Sequence, residues 1–234
     1  MDYALELFRT LTDKLESLFN LPLAWEYLPL LLSGLPMTLS ISVIGMGIGL
    51  VLGLFLALAR NSQLIVLRWP ARLYISFMRG TPILVLLFIL YFGLPELGIK
   101  LNAYTSACIG FGLGSAAFIA EIDRAAFNSI DQGQWESAKA LNLSYWQTVF
   151  HVIMPQAIRT AVPPLGNVFM DLLKATSLAA VITIPEVFQK AQMAVGKTYD
   201  SMTMYILAAL IYWPMCILIS VLQDWLEKRF SRYL

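Results

Sequence analysis

Apolar residues run in five long blocks separated by polar intervals: about Leu28 to Ala59, Tyr74 to Phe92, Ala103 to Ala120, Ala161 to Ile184, and Met202 to Leu222. A bilayer-spanning helix needs about 20 predominantly apolar residues, so each block reads as a span. The first is longer than required and is expected to tilt or protrude. Within it Gly45, Gly49 and Gly53 recur every four residues, which lets another helix approach closely. The second is interrupted by Arg79-Gly80-Thr81-Pro82. Pro82 removes a backbone hydrogen bond and frees a carbonyl, which must be satisfied by neighbours or face a cavity. The third carries Gly110, Gly112, Gly114, Ser115, Ala116 and Ala117 as a close-packing face and runs into Glu121, Asp123 and Arg124, expected at the membrane edge. Pro163-Pro164 is expected at the start of the fourth, where proline is best tolerated.

Ahead of the blocks, Leu5, Phe8, Leu11, Leu15, Leu18 and Phe19 share one helical face with charges opposite. This fits an amphipathic helix on the membrane surface, or one packed on the bundle. The domain expectation is a surface helix over residues 1–20 and one transmembrane domain over residues 28–230.

The longest polar interval, Asp131 to Pro155, carries two helix-start signals. Asp131 with Gln134, and Ser144 with Gln147, each set a capping side chain three residues before a partner that can reach back. Asn142 between them tolerates the left-handed conformation that ends a helix, and Pro155 is expected to stop the second unit. The pattern predicts two short helices at an angle, outside the membrane, with Trp135, Leu141, Tyr145, Trp146 and Phe150 to bury. Either the rest of the chain covers these side chains or a separate protein does.

Composition agrees with the block pattern. The chain has 234 residues, 59% hydrophobic and only 13% charged, with a mean hydropathy of +0.70; a soluble domain carries about 25% charge. The fold class is therefore an all-α integral membrane protein. A net charge of +1 with bases spread along the chain leaves no nucleic-acid footprint. Cys108 and Cys216 lie in apolar segments and read as small buried hydrophobes, with no metal spacing. The first twenty residues hold four acids and two bases without the apolar run of a cleavable signal peptide. Basic residues near span ends set orientation. Arg60, Arg68, Arg72, Arg124, Lys139, Arg159, Lys228, Arg229 and Arg232 fall on one side, and Arg9, Lys14, Lys100, Lys190 and Lys197 on the other. The first side is expected to be cytoplasmic, placing the N-terminus outside, the C-terminus inside and the Asn142 elbow in the cytoplasm.

The chemistry concentrates in the fourth block, at Asn167, Asp171, Lys174, Thr176 and Ser177. Asp171 and Lys174 are three apart and share a helical face. A charge at the bilayer centre costs about 3 kcal/mol on insertion scales, so the two must pair or face water. A structural ion pair and a polar patch in a substrate path both satisfy that. A lysine and an aspartate match the carboxylate and ammonium of a free amino acid. No nucleophile and base can be assembled around His151, the single histidine. Residues 191–198 end in Gly196-Lys197-Thr198 and approach a phosphate-binding loop, but no strand feeds them and they fall on the outer side.

Several motifs resemble the membrane subunits of bacterial ATP-binding-cassette (ABC) importers. The interval Glu136-Ser137-Ala138, Asn142, Ile153-Met154-Pro155 resembles their EAA loop, departing at Ser137, Asn142 and Met154. Gly34 with Thr38, Arg79-Gly80-Thr81-Pro82, Pro164-Leu165-Gly166-Asn167 and Leu173-Lys174-Ala175-Thr176-Ser177-Leu178 look like the polar-amino-acid branch, nearest the cystine importers. The likeness covers about Gly34 to Arg229. It implies a type I importer permease: two membrane subunits, identical or similar, two cytoplasmic ATP-binding subunits gripping the EAA loops, and an extracellular solute-binding protein. It implies no cofactor in this chain, ATP-Mg residing in the partner ATPase, so the chain is not itself an enzyme. It also implies residence in the bacterial cytoplasmic membrane as a multi-pass protein. Trp135, Glu136, Ala138, Asn142 and Tyr145 would meet the ATPase, with Glu136 a polar contact and Ala138 allowing close approach. Where the branch often has glutamine and aspartate, this chain has Leu86 and Ala175, which favours a ligand held by fewer charged groups. A stand-alone channel or ion-coupled carrier, and a membrane enzyme, are the competing readings; the first does not explain the aromatic elbow, and the second lacks a nucleophile.

Overall fold

The computed structural model describes residues 19–231. Residues 1–18 of the expected surface helix, and Arg232, lie outside the described residues. The helices are α1 (Leu21–Leu32), α2 (Leu35–Asn61), α3 (Ile65–Gly80), α4 (Ile83–Phe88), α5 (Ala103–Asn128), α6 (Gln132–Ala140), α7 (Tyr145–Thr148), α8 (Met154–Ala175), α9 (Val187–Thr198) and α10 (Ser201–Ser231). Among the described residues four helical stretches are long and apolar enough to cross a membrane, and five if α3 and the α4 segment count as one broken span.

The first apolar block is not one helix. It breaks at Ser33-Gly34, where the chain passes the start of α9 so closely that a Cβ on Gly34 would lie 2.6 Å from the Val187 amide nitrogen. Only glycine permits that approach. The second block bends instead of spanning straight: α3 and the segment Ile83–Leu97 meet at 104°. Proline at 82 ends the hydrogen-bond ladder, and the Thr81 hydroxyl donates to the Phe77 carbonyl at 2.8 Å, meeting a group the break leaves open. The third block continues past Ala120, and Glu121, Asp123 and Arg124 remain within α5.

The fourth block departs furthest from expectation. Helix runs from Tyr145 to Ile182, through a π turn at Val149–Ile153 and a final 3-10 segment at Thr176–Ile182. Pro155 therefore does not stop the second unit of the elbow, and Pro163-Pro164 sit inside α8 instead of starting it. Gln223 on α10 donates to the Pro163 carbonyl at 3.2 Å, which ties the proline-weakened turn to its neighbour.

Small residues set the packing. A Cβ on Gly53 would come within 3.1 Å of the Ala116 carbonyl, and one on Gly45 within 3.2 Å of the Phe111 Cβ, so the glycine strip of α2 lies directly on α5 as its spacing predicts. At one end of this pair Glu121 receives Arg60 from α2, Arg124 at 3.1 Å from its own helix, and Arg79 from α3 at 4.0 Å. The link expected at Pro185–Ser201 folds as α9, whose buried Val187, Ala191 and Ala194 pack with Ala24 and Leu31 of α1 and Met204, Leu207 and Ala208 of α10. Gly196-Lys197-Thr198 is thus helical and forms no phosphate loop.

Candidate functional site

Of the polar residues of the fourth block, the structure brings Asn167, Asp171 and Lys174 onto one exposed face of α8. Lys174 Nζ lies 2.9 Å from Asp171 Oδ1, with their side chains 56% and 75% exposed. This pair is not sealed inside the chain. Thr176 and Ser177 do not join it. Thr176 is fully buried and donates to the Leu173 carbonyl at 2.7 Å, and Ser177 donates to the Lys174 carbonyl at 2.8 Å.

Thr176 turns inward toward a second polar group. Glu186 caps α9, accepting from the Gln189 amide at 2.6 Å and from the Tyr212 hydroxyl of α10, and has no exposed surface. Burial pushes its carboxyl above the usual carboxylate range; hydrogen bonds from Tyr212, the Phe188 and Gln189 amides and Thr38 act in the opposite direction. Thr38 also accepts from the Val187 amide at 3.3 Å.

Where α3 bends into α4, a cavity of about 310 Å³ opens against α5 and α8, at the lower end of the size range of small-molecule sites. Arg79, Thr81, Ser115 and Asp171 supply its polar wall, and Leu86 and Ala175 are part of its apolar one. Arg79 lies over the Phe118 ring, 5.7 Å from its centroid. Sequence reasoning missed Arg79, Thr81 and Ser115 as site residues. The signal was Pro82, whose freed carbonyl already required either a neighbour or a cavity, and the bend provides both.

The elbow forms as a left-handed helix stop. Asn142 has φ 55°; its amide donates to the Lys139 carbonyl at 2.9 Å, and the Leu143 amide to the Ala138 carbonyl at 3.1 Å. These two bonds make a Schellman ending with Asn142 in the left-handed position. Ser144 and Gln147 complete the reciprocal capping box. Asp131 instead caps through the Gly133 amide at 2.7 Å, while Gln134 accepts from Gln156 at 3.1 Å and so ties α6 to the start of α8. Trp135 stacks on Tyr145 at 6.2 Å and Trp146 on Phe150 at 5.9 Å. Leu141, Tyr145, Trp146 and Phe150 remain exposed, as does Glu136, so the chain itself does not cover them. Ala138 is buried inside the elbow, away from its open surface. A cleft of about 750 Å³ runs between the elbow and the end of α2, bounded by Asn61, Trp135, Glu136 and Trp146.

Comparison with known proteins gives consistent matches. Residues 49–232 match the family described as binding-protein-dependent transport system inner membrane component. The chain is 57% identical over 218 residues to the probable amino-acid ABC transporter permease protein YckA of Bacillus subtilis (strain 168), covering 93% of this chain and 96% of that protein. It is 40% identical over 209 residues to the L-cystine transport system permease protein TcyB of the same organism, covering 89% of each. Its fold matches the crystal structure of an amino acid ABC transporter with histidines at a TM-score of 0.82 and 36% identity, covering 87% of this chain and 95% of that one.

Proposed function

The chain belongs to the inner membrane components of binding-protein-dependent transport systems and is the permease of an amino-acid ABC importer, and on that premise we propose that it carries a polar amino acid, L-cystine first among the candidates, inward across the bacterial cytoplasmic membrane. An extracellular solute-binding protein delivers the amino acid. Two permease subunits, identical or similar, form the path, and two cytoplasmic ATPase subunits drive it, ATP-Mg being bound and hydrolysed there. The N-terminus lies outside and the C-terminus inside. The 40% identity to an L-cystine permease supports the substrate.

The observation that carries this reading is the exposed aromatic elbow. Tyr145 and Trp146 keep 65% and 61% of their surface open on a rigid, doubly capped turn, a large apolar patch of the kind that marks a protein partner. Trp135, Glu136, Asn142 and Tyr145 form or shape the surface gripped by the ATPase, with Ala138 as internal packing. Movement of the elbow passes into α8 because helix is continuous from Tyr145 to Ile182, and the exposed Asn167, Asp171 and Lys174 on that helix line the path, with Thr176 and Ser177 at its end.

The test is ATP-driven uptake of radiolabelled L-cystine into cells carrying the complete transporter. Trp135→Ala with Tyr145→Ala is expected to abolish uptake and co-purification of the ATPase while the permease still reaches the membrane. Uptake that persists without any ATPase would establish a stand-alone channel or carrier instead.

A further inference from the structure

α3 carries three different faces. Ala71 and Ile75 are buried, Ile75 against Ala57 of α2 and Ala120 of α5, and the Tyr74 hydroxyl donates to the Leu113 carbonyl at 2.9 Å. Val66, Trp69, Leu73 and Phe77 fall on the opposite side, and all four stand exposed. Between these faces the helix places Arg68, Arg72 and Arg79 in one row, at positions i, i+4 and i+11. The segment Ile83–Leu97 leaves α3 at 104°, so with that segment crossing the bilayer α3 runs along its surface. An apolar stripe beside a basic one, with a tryptophan on the apolar side, is the pattern of a helix lying in the membrane interface.

The arginine row continues onto neighbouring helices. Arg60, the penultimate residue of α2, feels the positive charges of Arg72, Arg79 and Arg124. One carboxylate answers them. Glu121 pairs with Arg60 and Arg124 and comes within 4.0 Å of Arg79. Among the described residues Arg68 and Arg72 meet no acid, and Asp123 joins no ion pair. Arg68 Nε is closed off from solvent without a hydrogen-bond partner, as is Arg124 Nε, a costly state for a charged donor. This end of the bundle therefore carries more guanidinium charge than acid, directly beside an exposed apolar surface.

We propose that α3 binds an anionic phospholipid, Arg68 and Arg72 holding the headgroup phosphate and the acyl chains lying over Val66, Leu73 and Phe77. Arginine suits the task because its planar fork matches a phosphate with two parallel N–H donors. Each basic residue near the membrane surface adds to the attraction for an anionic lipid. A soluble phosphate would answer the charge and leave the apolar stripe bare, whereas a lipid meets both, and that decides the occupant. The bound anion relieves the repulsion between Arg72 and Arg60 and holds α3, and with it the 104° bend, against the bundle. The assignment requires only that the chain spans a bilayer and is independent of the solute it carries.

The test is native mass spectrometry of the detergent-purified full chain titrated with dioleoyl phosphatidylglycerol or dioleoyl phosphatidylcholine. The two lipids share their phosphate and chains and differ in net charge. The wild type is expected to bind phosphatidylglycerol tighter by about tenfold or more, and added salt should shrink the difference. Arg68→Gln with Arg72→Gln removes the preference. Lys100→Gln with Lys197→Gln, which takes the same charge from exposed positions elsewhere, keeps it. Should the arginine pair variant fail to fold, Arg72→Gln alone, at an exposed position, is expected to cut the preference by about threefold or more. Equal binding of the two lipids by the wild type overturns the proposal without reference to any variant. So does a preference that survives loss of both arginines, or one that disappears equally in the lysine control. Glycerophosphoglycerol, the headgroup without its chains, should not displace the lipid at equal concentration; displacement overturns the lipid assignment in favour of a soluble phosphate. The complete transporter with its ATPase is expected to keep the preference, and its loss there assigns the arginines to a protein partner instead.

Discussion

The Tyr212 hydroxyl donates a hydrogen bond to Glu186, a carboxylate with no exposed surface at the start of α9. The two residues join α10 to the point where Gly34 and Thr38 of the α1–α2 break meet the same backbone. Removing the donor alone leaves a buried acceptor short of a partner. Tyr212→Phe is expected to cost about 1–3 kcal/mol, seen as a lowered Tm in fluorescence-detected unfolding of the detergent-solubilised protein.

The same carboxyl predicts a pH dependence. Burial raises its folded-state pKa above the ordinary carboxylate value, so the folded chain holds this proton more tightly than the unfolded one. Its contribution to stability is complete below the unfolded pKa and is lost as pH rises through the folded value. Glu186→Gln, which does not titrate, should flatten that part of the Tm-against-pH curve. A slope unchanged in the variant would assign the titration to another group.

At the other end of the bundle Glu121 holds Arg60 and Arg124, with Arg79 nearby. Glu121→Gln leaves these guanidinium groups crowded without their acid, with an expected loss of about 3 kcal/mol. Removing one of the stranded cations should recover part of it, so Glu121→Gln with Arg60→Gln is expected to unfold at a higher temperature than Glu121→Gln alone.

Asn142 stands at φ 55°. A left-handed backbone costs an ordinary L-residue about 1–2 kcal/mol; glycine has no such cost. Asn142→Gly should keep both Tm and ATP-driven uptake near wild type, while Asn142→Val lowers both. Equal behaviour of the two variants would show that the elbow does not depend on this conformation.

Gly53 meets the Ala116 carbonyl and Ile119. Gly53→Leu forces α2 away from α5, with an expected cost of about 1–3 kcal/mol from overpacking. Leucine at Gly47, where a Cβ meets nothing within 4 Å, is the matched control and should unfold near the wild-type temperature.

The features legible in the sequence are those written by near neighbours along the chain. Long apolar runs mark the membrane helices whatever surrounds them, the Gly45-Gly49-Gly53 spacing marks a close helix crossing, and Ser144, Gln147 and Asn142 carry the elbow's caps within a few residues. Asp171 and Lys174 share a face by helical periodicity alone. Only the tertiary structure decides what lies on the far side of each of those residues. The break at Gly34 follows from the backbone of Val187, the helix continues through Pro163 where Gln223 reaches across to its carbonyl, and Thr176 turns inward toward the buried polar group around Glu186. Arg79 and Asp171 line one cavity because α3 bends where proline interrupts its ladder and α5 and α8 pack into the angle. Hydropathy and capping act over one or two turns of helix, whereas the meeting of charges from different helices depends on how whole helices pack.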